Sequence, residues 1–322
     1  METNKKVSFI SAVVYLNNDE RFVESFVREL HGFLDQNFVN FEIILVDDGS
    51  ADKTADVIRS TVSKLDTNTV TLVRLNNHQG YEAAMNAGVD LSNGDYVLEF
   101  ETPILDYDLS LIMSIYAKSE EGYDIVSATN LLYKKNSSNM FYRVFNRGAN
   151  LKYDVQSESF RLVSRRAINK INSMSNSIVY RKAFYANCGL SFYNVKYEGK
   201  KELLRYKTSK QKQKADVAAT ALILFTDISY KVSLGISIFM MLATVFMAIY
   251  AIVVFATFGA IEGFTTTMLV MTGSFFAVFL LFAIVIKYLS VICQMVFNKQ
   301  SYRIESIERM TSATKKADAD GE

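Results

Sequence analysis

Cysteine and histidine are scarce in this sequence, which has two residues of each among 322. Cys188 and Cys293 are far apart, and neither this pair nor His31 and His78 has the spacing of a metal site. Two cysteines also cannot form the several cross-links of a disulfide-stabilised secreted domain. The sequence therefore supports neither a disulfide framework nor a Cys/His metal centre, and it predicts a reducing compartment.

An excess of charge of either sign is also lacking, because 35 Lys and Arg face 34 Asp and Glu, for a net charge of +1. This balance gives no reason to expect nucleic acid as a partner. Residues 1–6 are polar and run directly into a strand-like segment, without the long apolar run and small-residue cleavage site of a signal peptide. We therefore expect the first domain to remain in the cytoplasm.

Charge is absent from two long apolar segments, 232–258 and 264–286. A bilayer core about 30 Å thick needs about 20 apolar helical residues, and each segment is long enough. The sequence therefore predicts a hairpin of two transmembrane helices, at about 232–258 and 264–290, in the inner (cytoplasmic) membrane. Lysines and arginines flank the hairpin, whereas the short connection has none, so the positive-inside rule places both flanking parts in the cytoplasm.

Four regions follow from this distribution. Residues 1–210 form a globular domain, 232–297 hold the two transmembrane helices, and 298–322 are expected to be a largely disordered cytoplasmic tail that ends in small, polar and charged residues. Residues 211–231 have an apolar centre flanked by charge. They fit a helix lying on the membrane surface or an ordinary packed helix of the globular domain, and the sequence does not decide between them.

Strand-like and helix-like segments alternate in the globular domain. The predicted strands are 7–15, 41–48, 69–76, 95–100 and 123–129, and the helices between them begin near residues 19, 52, 81 and 109. Repeated βαβ units of this length predict an α/β fold, with a mostly parallel sheet and helices on both faces. Ligands of such sheets bind beyond the carboxyl ends of the strands, so the residues that follow each strand are the candidates for a site.

Polar residues follow the second predicted strand in the run Asp47-Asp48-Gly49-Ser50. Asp48 is suited to accept hydrogen bonds from a base N–H or a ribose hydroxyl. The alternative is that these residues form only a tight turn and a helix cap, and both interpretations stay open.

Carboxylates follow the fourth predicted strand, first at Glu99 and Glu101 and then at Asp106 and Asp108. Hard divalent cations prefer oxygen ligands. These residues therefore indicate a possible Mg²⁺ or Mn²⁺ site facing a diphosphate.

The runs FEIILVDDGSADKT, NHQGYEAAMNAGVDLSNGDYVLEF and ESFRLVSRRAI, with the two apolar segments, resemble the family 2 glycosyltransferases of the GT-A (Rossmann-like) fold. The sequence is similar in particular to the polyprenyl-phosphate glycosyltransferases, relatives of dolichyl-phosphate mannose synthase. This resemblance implies transfer of a sugar from a UDP- or GDP-linked nucleotide sugar to undecaprenyl phosphate at the cytoplasmic membrane face, for a cell-envelope glycan. It also implies a homo-oligomer, a tetramer.

The resemblance assigns candidate roles to individual positions. The candidate nucleotide-binding residues are Val14, Leu16, Asn17, Asp47, Asp48, His78 and Gly80. The candidate catalytic residues are Glu101, Glu158, Ser159 and Arg161, and the candidate metal ligands are Glu101 and Asp106. The candidate lipid-phosphate-binding residues are Arg143, Arg147, Arg161, Arg181 and Lys182.

The sequence departs from the family pattern at several of these positions. The metal-binding D-x-D motif reads Glu101-Thr102-Pro103, and the position of the general base is Ser159, with Glu158 beside it. The first-strand P-x-Y-N-E pattern retains only Asn17. Two alternatives therefore stand beside the transferase: a catalytically silent homologue that binds or regulates a partner, and an enzyme whose acceptor is a hydroxyl group. A processive synthase is disfavoured, because the chain has no tryptophan for a Q-x-x-R-W motif and two spans are too few to line a channel.

Overall fold

The computed structural model describes residues 5–65, 67–132, 136–149, 151–174, 180–203, 206 and 302–310, and single helical positions between 236 and 292. The chain forms two compact units. One comprises Met1–Asn146, Leu151–Ala218 and Lys299–Glu322, and the other comprises Arg147–Asn150 and Ala219–Asn298. The segment 211–231 and most of the two predicted transmembrane helices lie outside the described residues. Within the described residues, no helix has the length and apolar character needed to cross a membrane.

Eight strands and seven helices are described in the first unit and at its border with the second. The strands are β1 (Ile10–Leu16), β2 (Phe41–Asp47), β3 (Val70–Leu75), β4 (Tyr96–Phe100), β5 (Ile125–Asn130), β6 (Phe160–Ser164), β7 (Phe192–Tyr197) and β8 (Ile304–Met310). The helices are α1 (Val23–Asn37), α2 (Thr54–Val62), α3 (Tyr81–Leu91), α4 (Ser110–Glu120), α5 (Asn136–Gly148), α6 (Arg165–Met174) and α7 (Arg181–Asn187).

The eight described strands form one sheet in the order β7-β5-β6-β4-β1-β2-β3-β8. Six of them run in the same direction, and only β6 and β8 are antiparallel to their neighbours. The predicted mostly parallel α/β sheet is therefore confirmed. Its first five strands lie within a few residues of their predicted positions, because each is a short apolar run bounded by turn residues.

The sheet is covered on both faces. Along β1, Ala12, Val14 and Leu16 face a core shared with α1, α2 and α4, whereas Val13 and Tyr15 face a second core shared with α3, α6 and α7. Each of the fully buried aliphatic side chains contributes about 1.5–3 kcal/mol to folding. This layering leaves the carboxyl edge of the parallel strands free for a site.

The strand β8 was not expected, since residues 298–322 were predicted to be largely disordered. For Ile304–Met310 that expectation is wrong: the segment pairs with β3 in antiparallel register from Val70–Met310 to Leu75–Ile304. The physical reason is that β3 would otherwise leave its backbone donors and acceptors unpaired, and that both ends of β8 pack on the two cores. Residues 311–322 lie outside the described residues.

Candidate active site

The turn after β2 brings two loops together. Gly49 has φ +63°, and a Cβ there would lie 2.6 Å from the backbone of Asn77 and His78. Any other residue would be both strained in backbone and in steric conflict with that loop. Glycine therefore lets the 77–80 loop approach the carboxylate that precedes it.

Asp48 is fully buried and is held by the 78–80 loop. Its carboxylate accepts the backbone N–H of Gln79 at 2.7 Å and of Gly80 at 2.9 Å, and the Tyr15 hydroxyl at 3.1 Å. His78 Nδ1 lies 2.8 Å from the same carboxylate, and the His78 side chain is half exposed. Burial and the Asp48 carboxylate raise the pKa of Tyr15. Asp48 therefore fixes the loop.

The other candidate nucleotide-binding residues divide into two sets. Asn17 donates its side-chain N–H to the Asp48 carbonyl at 2.8 Å, and Asp47 accepts the Ser50 N–H at 3.1 Å. Val14 and Leu16, by contrast, are fully buried in the core, and the Leu16 carbonyl accepts the Asp48 N–H at 2.9 Å. The structure thus brings together five of the seven predicted residues, and Asp47 also makes the turn contact that the alternative interpretation required.

A second group of polar side chains lies at the end of β4, and we call it the buried charge cluster. It consists of four carboxyl groups and three cations: Glu82, Glu99, Glu101, Glu158, Arg161, Arg181 and Lys182. Each of these residues is at least 92 % buried, since the most exposed reach 8 %. Charges in such an environment are stable only when they are paired, and the cluster supplies those pairs internally.

Arg161 lies at the centre of the buried charge cluster and is 1 % exposed. Its Nε lies 3.2 Å from Glu158 Oε2 and 3.6 Å from Glu99 Oε2, and its Nη2 lies 3.5 Å from Glu101 Oε1. Its guanidinium also lies over the Tyr185 ring, 5.2 Å from the centroid. The Arg161 guanidinium therefore compensates the charge of three carboxylates.

Arg181 and Lys182, at the start of α7, complete the pairing. Arg181 Nη2 donates to Glu99 at 2.7 Å, and its backbone N–H donates to Glu82 at 3.1 Å. Lys182 Nζ lies 2.8 Å from Glu101 Oε1. The Tyr185 hydroxyl donates a further hydrogen bond to Glu99.

The electrostatics of the buried charge cluster follow from burial and from these pairs. Burial raises the pKa of Glu82 to about 7 against the opposing effect of Arg181. Burial also acts to raise the pKa of Glu99, but Arg181 and Arg161 outweigh it and the pKa is lowered. For Lys182, burial lowers the pKa, but Glu101, Tyr142 and Glu158 together outweigh it and the pKa is raised. With Glu82 protonated, three carboxylates balance three cations.

The residues predicted to bind a lipid phosphate do not share one environment. Arg161, Arg181 and Lys182 belong to the buried charge cluster, where they contact carboxylates. Arg143 and Arg147 are exposed residues of α5. The first three are therefore engaged with carboxylates inside the domain, and of the five only Arg143 and Arg147 are exposed.

Ser159, at the position of the family's general base, is linked to an acid through a tyrosine. The Ser159 and Tyr197 hydroxyl oxygens are 2.5 Å apart, and Tyr197 donates to Asp106 Oδ1 at 3.1 Å. Because Tyr197 has one hydroxyl proton, Ser159 is the donor to Tyr197. Asp106 also accepts the Asn130 side-chain N–H at 2.8 Å.

The residues at the family's metal position do not fit a divalent cation. The Glu101 carboxylate faces Lys182 and Arg161, whose charges would repel Mg²⁺ or Mn²⁺. Pro103 has no side-chain oxygen, and Asp106 is directed to Asn130 and Tyr197. Within the part of the chain that the structure describes, no three acidic, histidine or cysteine side chains are grouped as a metal site requires.

Several residues of the site were not predicted from the sequence. Glu82, Tyr185 and Tyr197 were not singled out, and Glu99 was noted only as one of the carboxylates of a possible metal site. A signal was available for Glu99, because a carboxylate inside a buried strand requires a cation as partner. For the tyrosines the sequence offers no such signal, since their hydroxyl partners are distant in the chain.

The fold and site define a class: an α/β domain with a carboxylate-anchored loop and a cluster of buried ion pairs at the carboxyl edge of its parallel strands. The chain belongs to glycosyl transferase family 2, whose sequence profile ("Glycosyl transferase family 2") matches residues 13–184, more than half of the chain.

Curated relatives have related names. An uncharacterised glycosyltransferase of Synechocystis sp. is 30 % identical over 187 residues, covering 56 % of this chain and 58 % of that protein. A prophage bactoprenol glucosyl transferase homolog of Escherichia coli is 27 % identical over 186 residues, covering 56 % and 60 %. The undecaprenyl-phosphate 4-deoxy-4-formamido-L-arabinose transferase of Shewanella sediminis is 31 % identical over 130 residues, covering 39 % and 38 %. The matched region thus spans less than two thirds of each relative.

Solved structures with a similar chain path include two sugar transferases. The mannosyltransferase PcManGT from Pyrobaculum calidifontis, in complex with GDP-Man and Mn²⁺, is 13 % identical with a TM-score of 0.46, covering 59 % of this chain and 55 % of that one. Glucosyl-3-phosphoglycerate synthase from Mycobacterium tuberculosis, with Mn²⁺, UDP-glucose and phosphoglyceric acid, is 15 % identical with a TM-score of 0.43, covering 67 % and 79 %. At these scores the likeness carries no conclusion about the ligands of this chain.

Proposed function

We propose that the chain transfers a sugar from a UDP- or GDP-linked nucleotide sugar to a polyprenyl phosphate at the cytoplasmic face of a membrane. The observation that carries the proposal is the placement of two polar groups at one edge of the sheet in a family 2 chain. The Asp48-anchored loop follows β2 and β3, and Glu101 with its cations follows β4. This is the edge at which parallel α/β sheets bind ligands.

The acceptor is proposed from its chemistry and from the relatives' names. In the transfer, the bond from the sugar carbon to the diphosphate oxygen breaks, its electron pair stays on the diphosphate, and an acceptor oxygen forms the new bond. A lipid phosphate is already an anion near pH 7, so it needs little help from a base. That property suits a site in which Ser159 occupies the base position. Stabilisation of the leaving diphosphate is then the main catalytic requirement.

The membrane part of the proposal rests on the predicted hairpin and is supported by β8. Residues 304–310 pair with β3 and Tyr206 contacts Arg21, so the two ends of the segment between residues 206 and 302 belong to one domain. A segment that leaves and returns to the same domain crosses a bilayer an even number of times or not at all. Two crossings fit this condition. A homo-oligomer, a tetramer, belongs to the same proposal.

The test is a transfer assay with the purified full-length chain, undecaprenyl phosphate in detergent, and a panel of UDP- and GDP-sugars, each with EDTA, Mg²⁺ or Mn²⁺. A lipid-linked sugar as product supports the proposal. Polyprenol in place of the phosphate is the matched control. Transfer to polyprenol, lost in Glu158→Gln but kept in Ser159→Ala, would instead identify a hydroxyl acceptor.

A second candidate function is favoured by the pairing of Glu101 with Lys182 and Arg161 and by the serine at the base position. These are the changes expected of a catalytically silent homologue that binds a nucleotide, a lipid phosphate or a partner enzyme. Nucleotide or lipid binding without product from any sugar in the panel would support it. Turnover that is lost in the double variant Tyr15→Phe/Asp48→Ala would count against it.

A further inference from the structure

We propose that Lys182, supported by Arg161, is the cation that binds the diphosphate of the nucleotide sugar in place of a divalent metal, and that Glu101 occupies this anion site in the free protein. This inference rests on the proposed function and deepens it. Its starting point is the disagreement between the family's metal position and the residues that fill it here.

The first step is the location of the positive charge. Lys182 Nζ lies 2.8 Å from Glu101, the one carboxylate that remains of the metal-binding motif. Arg161 Nη2 lies 3.5 Å from the same oxygen. Two cations therefore already lie beside the carboxylate where a metal would be held. A metal would add positive charge next to them, whereas a diphosphate oxygen that replaces the Glu101 carboxylate would keep them paired with an anion.

The second step is accessibility. Among the ion-paired side chains of the buried charge cluster, those of Lys182 and Glu101 are the most exposed, at 8 % and 7 %, whereas those of Arg161 and Glu99 are at 1 % and 0 %. The Lys182–Glu101 pair is thus the least buried of the ion pairs in the cluster. It is the pair at which an incoming anion can replace the carboxylate without disturbing the Arg181–Glu99 pair beneath it.

The third step is an unsatisfied donor beside the same pair. Within the described residues, Arg161 Nη1 is buried and has no hydrogen-bond partner. A cavity of about 10 Å³, lined by Glu158, Arg161 and Lys182 among others, lies next to it. That volume holds about one water molecule, so the cavity is not a nucleotide pocket in itself. It does leave a guanidinium donor available to an additional oxygen.

The metal and the lysine hypotheses make opposite predictions for one substitution. If Glu101 were a metal ligand, Glu101→Gln would weaken nucleotide binding. If Glu101 is the internal anion that competes with the diphosphate, Glu101→Gln leaves a cation without its partner and strengthens binding. The substitution keeps the size of the side chain, so the sign of the change carries the information.

The experiment is calorimetric titration of the full-length chain with UDP and GDP, each in EDTA and in Mn²⁺. We expect binding of at least one nucleotide in EDTA, at least about tenfold weaker binding in Lys182→Met, and tighter binding in Glu101→Gln. Lys170→Met is the matched control, because Lys170 is an exposed lysine of α6. This variant should bind the nucleotides with the affinity of the wild type.

Should Lys182→Met fail to fold because Glu101 is left unpaired, the double variant Glu101→Gln/Lys182→Met removes both charges and takes its place. Binding that requires Mn²⁺, or that survives in the double variant, would overturn the lysine site while leaving the proposed function intact. No binding of either nucleotide under any condition would overturn both.

Discussion

Two carboxylates at the same edge of the sheet are stabilised in different ways. Asp48 is held by backbone N–H groups of Gln79 and Gly80 and by a tyrosine hydroxyl, apart from its contact with His78. Glu101 is held by the cations of Lys182 and Arg161. Backbone donors are fixed by the fold of the loop, whereas an ion pair can exchange one anion for another. The comparison teaches that the first carboxylate maintains a structure and that the second occupies a position which a ligand can take.

The difference also explains which motif the sequence preserves. The V-D-D-G-S turn is intact, because Asp48 and Gly49 shape the 77–80 loop and no other side chains can replace them there. The metal motif is altered at Pro103 and is accompanied by three cations in the same space. The change therefore affects the whole electrostatic environment of the site and not one residue alone.

The largest effect is expected from removing the central cation of the buried charge cluster. Arg161→Met leaves Glu158 and Glu101 without part of their compensation in a dry environment, so we expect a loss of about 3–5 kcal/mol in the free energy of unfolding. Urea unfolding measures it. The control is Arg59→Met: Arg59 is partly exposed and pairs with Glu308, and its loss should cost less than about 1 kcal/mol. Equal losses in the two variants would show that the cluster is not electrostatically special.

A pH-dependent effect is expected at Glu82. Burial raises its pKa to about 7, with Arg181, Arg161 and Lys182 acting against burial. The folded state therefore prefers the neutral carboxyl, and stability falls as the pH rises from about 4.5 to about 7. Glu82→Gln removes this penalty, so the variant should be more stable than the wild type at pH 8 by up to about 3 kcal/mol.

The measurement for Glu82 is thermal unfolding of both proteins at pH 5 and at pH 8. The advantage of the variant should be largest at pH 8 and should shrink toward zero at the lower pH. A constant difference at both pH values would mean that the carboxyl does not titrate in this range.

A smaller effect is expected when the hydrogen bonds between the Asp48 carboxylate and the 78–80 loop are disturbed. In Asp48→Asn one oxygen still accepts, but an amide N–H then faces the donors of the 78–80 loop, and we expect a loss of about 1–3 kcal/mol. Asp95→Asn is the control, because the exposed Asp95 accepts one backbone N–H, from Phe9, and should lose less. The 78–80 loop should be less ordered in Asp48→Asn, and nucleotide titration should show weaker binding. Unchanged urea midpoints in that variant would contradict the anchoring role.

The smallest effect is expected at the Ser159–Tyr197–Asp106 chain. Tyr197→Phe removes the central hydroxyl, while Asp106 keeps its hydrogen bond from Asn130, so the expected cost is about 1 kcal/mol. Tyr193→Phe is the control on the same strand, since its ring contact with Tyr123 is retained and no change is expected. A loss above about 3 kcal/mol would mean that these three hydrogen-bonded residues contribute as much to the free energy of unfolding as the buried charge cluster does.

The fold was largely predictable because its signals are local. The helix predicted at 81–91 is α3 with the same bounds, and the strand predicted at 95–100 differs from β4 by one residue. The parallel arrangement followed from the repeated βαβ spacing. By contrast, three of the seven residues of β8 are charged, and the strand pairs with β3, more than 200 residues earlier in the chain. A pattern confined to one segment cannot reveal such a partner.

The site was predictable in its residues but only partly in its contacts. Asp48, His78 and Gly80 were predicted together and lie together, because turns after neighbouring parallel strands meet at one edge. Arg181 and Lys182 were assigned to a lipid phosphate, since lone basic residues suggest a surface. Their carboxylate partners Glu99 and Glu101 are about 80 residues away in sequence, and no spacing rule connects β4 with α7.

The last strand also sets an order of events in synthesis. Because β3 gains its outer neighbour only from Ile304–Met310, the sheet cannot be completed until those residues have left the ribosome. Until then the growing chain presents the backbone of β3 as an open edge, to which a strand of another chain can add. Arrival of β8, with exposed Glu305 and Arg309 beside the newly paired backbone, closes that edge with charge. The domain whose residues are synthesised first is therefore the last to complete its sheet.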